Sequence, residues 1–180
     1  MIRQSAVALA VVSIAGMVIA TEASANTYGP SENNNLPFPD DRNHTFTYVG
    51  LEPAYDQAAN WARVEALGNG TNMTEEYVGG TASYIDVFVY DEYYGGTQRG
   101  FYQCVSRHPS GNCDTSDVVM NNSVLNSQSQ NNKTKTACHE IGHSVGLGHT
   151  SLTDSCMIEG SSENIRFSDH DKNHINGRFP

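Results

Sequence analysis

A chain of 180 residues with 20 acidic and 10 basic side chains carries a net charge of −10. The length suits one domain with one core, and the acidity argues against nucleic acid or an anionic membrane surface as partner. No internal repeat and no second-domain boundary is visible, and a monomer is expected.

The chain opens with Arg3, an apolar run from Ala6 to Ala20, and the small-residue exit Ala23-Ser24-Ala25. The run is short for a bilayer span, so residues 1–25 read as an export signal and the mature protein as secreted, without stable membrane association. Residues 26–43, rich in Asn, Pro and acid, read as an irregular leader to a single domain over 44–180. His44 to Gly50 alternates aromatic or β-branched residues with polar ones, a strand pattern. Pro53 then opens a helix in which Ala54, Ala58, Trp61 and Val64 keep helical spacing, and Gly68 supplies its stop.

Residues 69–83 are rich in Gly and Thr and predict no element. Strands are expected over Ser83 to Asp91, Arg99 to Ser106 and Ser116 to Asn122. A polar stretch leads into a segment rich in histidine. Near the C-terminus Ser168 reads as an N-cap with Asp171 three positions on, followed by a short helix to Gly177. Asp169, Asp171 and Asn173 imitate a calcium loop, but His174 stands where such a loop needs glycine, and no acid closes it. The order of elements predicts an α+β (α/β-like) domain, one twisted sheet against two helices.

Four cysteines in an exported chain predict two disulfides, with three possible connectivities. Proximity favours Cys104–Cys113, which leaves Cys138–Cys156. No C-x2-C pair suggests a Cys/His structural zinc site.

The chemistry concentrates in "TACHEIGHSVGLGHTSLTDSCMIEG", Thr136 to Gly160. Four residues make little more than one helical turn, so His139 and His143 share a helix face and can bind one zinc ion together. Glu140 points to a neighbouring direction, beside the metal, where a base acting on water would stand. Gly146 follows three residues after His143, where a positive φ would end the helix and let the chain double back to bring in His149. Three neutral nitrogen donors leave a fourth zinc position open, the mark of a catalytic site and not of a closed structural one.

The run "HEIGHSVGLGH" has the form H-E-x-x-H-x-x-G-x-x-H, and the segment resembles the metzincin zinc endopeptidases. "SCMIEG" supplies Met157 for the methionine turn that this family places beneath its zinc. Secreted actinobacterial matrixin-like proteins look most similar. Two departures leave the subfamily open: Thr150 follows the third histidine, where matrixins usually carry Ser, and no tyrosine follows Met157. The resemblance implies a twisted, mostly parallel sheet, an active-site helix and a small C-terminal helical subdomain. It also implies one zinc ion on His139, His143 and His149, with Glu140 as catalytic general base. The substrate would be a protein or peptide that adds as a strand to a sheet edge, for which "GFYQCVS" is the candidate by chain order. A Cys138–Cys156 bridge would tie the active-site helix to the methionine turn. The alternative from another class is a secreted zinc-binding or interaction protein on the same fold, without catalysis.

Overall fold

The computed structural model describes residues 28–29 and 36–180; the expected export signal and part of the leader lie outside the described residues. Its sheet has five strands, β1 (Asn43–Val49), β2 (Thr74–Tyr77), β3 (Val87–Glu92), β4 (Gly100–Arg107) and β5 (Cys113–Asn121), in the order β2-β1-β3-β5-β4. Three of the four pairings are parallel, and β4 alone runs antiparallel, on β5 at the edge. The fold is the mixed α/β arrangement expected, with a mostly parallel sheet.

Strand β1 departs from simple alternation: His44, Thr45, Phe46 and Thr47 are all buried, because a strand inside a parallel sheet is covered on both faces. Its buried hydroxyls are matched, Thr45 Oγ1 donating to the Tyr84 carbonyl and Thr47 Oγ1 to that of Gly80, which removes the cost of an unpaired polar group. Strand β2 falls within the stretch that predicted nothing. It is short, lies at an edge and exposes most of its side chains, so it carries no apolar pattern. Strands β3 and β5 start several residues away from their expected limits, β3 later at Val87 and β5 earlier at Cys113.

Helix α1 (Pro53–Trp61) starts with proline in its first turn and continues as a π-helical stretch, Ala62–Gly68. Its buried face is Tyr55, Ala58, Ala59, Ala62, Ala66 and Leu67, rotated from the face expected from Ala54, Trp61 and Val64. Alanine lets two backbones approach, and α1 packs on α3 (Gln130–Ser144). Between β5 and α3 lies a single turn, α2 (Asn122–Leu125). Helix α3 in turn lies on β4 and β5. One apolar core joins Phe46, Val87, Val89, Val118 and Met120 of the sheet to Ala137 and Ile141 of α3 and to Met157.

The chain ends in α4 (Asp169–Arg178), opened by the expected reciprocal cap: Ser168 Oγ accepts from Asp171 N, and Asp171 Oδ2 accepts from Ser168 N. Apart from Asn43, which opens β1, the described part of the leader has no regular element, yet it is docked. Tyr28 bridges Leu147, Pro39 bridges Cys113, and Gly29 N donates to the Gly146 carbonyl. Disulfides join Cys104 to Cys113 and Cys138 to Cys156. No helix among the described residues is long and apolar enough to cross a membrane.

Candidate metal centre

Helix α3 is capped at its start by Ser129, whose hydroxyl accepts from Asn132 N, and carries His139, Glu140 and His143 in its last turns. Its end is a Schellman turn. Gly146 takes φ +89°, its N–H donates to the His143 carbonyl, and Leu147 N donates to that of Gly142. The reversal brings His149 back over the helix. The metal-binding atoms of His139, His143 and His149 lie within 4.8 Å of one another, and the three ring centroids are 4.7, 5.0 and 5.1 Å apart.

The hydrogen bonds decide which nitrogens face inward. His139 Nδ1 is 2.9 Å from the Cys156 carbonyl and His143 Nδ1 is 2.7 Å from that of Leu147. A carbonyl only accepts, so each Nδ1 bears the proton and each Nε2 keeps its lone pair. His149 Nδ1 meets a carboxylate oxygen of Glu159 at 2.7 Å, which fixes the third ring in the same sense. Three imidazoles, each oriented by an acceptor on its far nitrogen, are the donor set that suits zinc. Burial holds the His139 and His143 imidazoles well below the usual histidine range, His143 at about 4, so both stay neutral and available as ligands at physiological pH.

Glu140 is buried beside this trio, and burial pushes its carboxyl up to about 8, with the Lys135 ammonium acting the other way. A positive ion nearby acts in the same direction as Lys135. Room for the carboxyl is made by Gly100 at the start of β4: a Cβ there would lie 3.0 Å from both Cγ and Oε1 of Glu140. Met157 is fully buried and packs against Gly142, which lies between His139 and His143 in sequence. Its N–H donates to Ser155 Oγ, and its carbonyl accepts from Thr150 N just after His149.

The trio and Glu140 line a cleft of about 790 Å³, whose walls include Arg99, Gly100, Tyr102, Lys135, Glu159 and Gly160. Lys135 is buried, with its Nζ donating to the carbonyls of Ile158 (2.6 Å) and Gly160 (3.0 Å). It thus pins the chain after Met157 to α3. Burial lowers its pKa to about 8.

Every site residue singled out in the sequence therefore falls in one place: His139, Glu140, His143, Gly146, His149 and Met157, framed by Cys138–Cys156. Sequence reasoning missed Gly100, Lys135 and Glu159. Lys135 precedes His139 by four positions, so the helical spacing that paired the histidines could have found it; Gly100 and Glu159 carry no local signal.

A mostly parallel sheet with an antiparallel edge strand, above a helix bearing two of three convergent histidines, defines the metzincin class. The family model of the matrixins matches residues 21–178. The chain belongs to the matrixin family, whose members are zinc metalloendopeptidases. No curated protein gives a significant match.

Proposed function

We propose that the protein is a secreted zinc endopeptidase in which His139, His143 and His149 hold the single catalytic ion and Glu140 is the general base. The observation that carries this reading is the convergence of three imidazoles whose Nδ1 atoms are all committed, with Glu140 on the same helix. Zinc bound there supplies Lewis acidity, which acidifies water and polarises a peptide carbonyl.

The Glu140 carboxylate takes a proton from the attacking water and returns it to the departing amine nitrogen. Strand β4 is the outer strand of the sheet among the described residues and borders the cleft, with Gly100, Phe101 and Tyr102 in its lining, and a substrate strand adds to it through main-chain hydrogen bonds. Residues 44–180 form the catalytic domain, reached after export directed by residues 1–25. Two disulfides accord with an oxidising compartment.

The test is Glu140→Ala, assayed on casein or gelatin with and without a chelator. The parent is expected to lose cleavage on chelation and regain it with zinc. The variant is expected to keep its zinc and lose cleavage. Unchanged turnover in the variant removes Glu140 from the mechanism, and a zinc-loaded parent without chelator-sensitive cleavage points to a non-catalytic zinc protein.

A further inference from the structure

A second histidine pair repeats the geometry of the first. His139 and His143 are spaced i, i+4 on α3, with ring centroids 4.7 Å apart and an interplanar angle of 80°. His170 and His174 are spaced i, i+4 on α4, with ring centroids 4.5 Å apart and an angle of 90°. Their Nε2 atoms approach to 3.0 Å, and neither residue lines the catalytic cleft. Both residues are half-buried, the Tyr28 ring lies 5.0 Å from that of His174, and the helix, capped by Ser168 and Asp171, holds the separation of the two histidines.

We propose that His170 and His174 form a second metal site, a two-imidazole chelate for a late first-row divalent cation. An ion placed about 2.05 Å from two nitrogens 3.0 Å apart subtends an angle of about 90° between them, the cis angle of six-coordinate or square-planar geometry and less than a tetrahedral one. That geometry, together with two imidazole donors and positions left for water, favours Cu2+ and Ni2+ over Zn2+. The site bears on the catalytic centre only through the fold. Between the two histidines, Asp171 Oδ2 accepts from Ser155 Oγ at 2.6 Å, and Ser155 Oγ accepts from Met157 N at 2.9 Å. Clamping that turn of α4 stiffens the support of the methionine turn without touching substrate.

The experiment is a calorimetric titration of the zinc-loaded protein, free of any histidine tag, with Ni2+, repeated on His170→Gln and His174→Gln. Paramagnetic resonance of the Cu2+ complex counts its nitrogen ligands. The parent is expected to take up one further equivalent with micromolar affinity, and each variant to weaken it by roughly tenfold or more. Catalytic zinc content and peptide hydrolysis should stay unchanged in both variants, which also shows that they fold. The Cu2+ spectrum should show coupling to two ring nitrogens in the parent and lose one in each variant. If no further equivalent binds, or if the variants bind it as well as the parent, the two rings merely share a proton and the proposal is overturned.

Discussion

Gly142 lies directly against Met157: a methyl group at Gly142 would run into the Met157 sulfur and come within 3.0 Å of both Met157 Cε and Phe167 Cε1. Met157 is fully buried and Phe167 nearly so, so neither can swing aside into solvent. Gly142→Ala gains about 1 kcal/mol of helix propensity but overpacks the core under the site, which costs about 1–3 kcal/mol. Overpacking should win. The variant is expected to melt lower and to bind zinc more weakly, read by thermal unfolding and competition with a chromophoric chelator. A melting point at or above the parent's would mean that the methionine turn yields freely.

Gly100 does for Glu140 what Gly142 does for Met157. A Cβ at Gly100 would lie 3.0 Å from the Glu140 carboxyl and 2.8 Å from the Val119 carbonyl, and that carbonyl belongs to the paired strand β5. Relieving the contact with that carbonyl displaces β4, and with it the wall against which the Glu140 carboxyl rests. Gly100→Ala is expected to keep its zinc and lower kcat by roughly tenfold to a hundredfold, as misplacing a reacting group by about 1 Å does. Equal kcat in the variant would show that the carboxyl has slack.

The contrast between those two glycines shows what the sequence could carry. The histidine cluster was legible because the geometry that makes it is local: a helix turn relates His139 to His143, and a glycine turn six residues long brings in His149. The Ser168–Asp171 cap was legible for the same reason. Strand β2 was not, because an exposed edge strand containing Glu75 and Glu76 has no apolar alternation to read. The face of α1 was misjudged because Trp61 invites burial, whereas its indole lies half-exposed under the Arg166 guanidinium at 4.8 Å. Gly100 serves a residue forty positions away, a relation that only the packing of β4 on α3 creates.

Cys138 precedes His139, and the carbonyl of Cys156 accepts from His139 Nδ1, so their disulfide joins the His139 segment to the group that orients its ring. Replacing both by Ala opens a loop of 18 residues' separation and is expected to cost about 3 kcal/mol. It should also weaken zinc binding, because the Cys156 carbonyl is no longer tied to the helix. Removing Cys104 and Cys113, which staple β4 to β5, should lower stability without that loss of zinc affinity. Calorimetric melting and zinc competition on both variants separate the two effects; equal zinc affinity in all three proteins would make the Cys138–Cys156 bridge a stability element only.

Acid stability should be governed in part by His44 on β1 and Asp86, the residue just before β3. Ser144 Oγ donates to the Ile141 carbonyl at 2.7 Å, so His44 Nε2, 2.9 Å away, donates to Ser144. His44 Nδ1 is left 4.0 Å from Asp86 Oδ2. Burial lowers the His44 imidazole to about 3 and raises the Asp86 carboxyl to about 6, with the hydrogen bonds from Thr45 opposing the latter. Because the folded His44 resists protonation, stability is full above the unfolded value of about 6.5 and falls as pH drops below it. Asp86 has the opposite sign: its folded carboxyl takes a proton from about pH 6 downward, ahead of the unfolded chain at about 3.9, and stability rises across that window. The two contributions offset each other between about pH 6 and 4. Asp86→Asn removes the gain and leaves the loss, so the variant is expected to fall behind the parent by roughly 1 kcal/mol per pH unit across that window. Urea unfolding of both proteins at several pH values, with zinc saturating in each so that ligand titration cancels in the difference, measures this directly. Parallel stability curves would show that Asp86 stays ionised throughout and offers His44 no compensation.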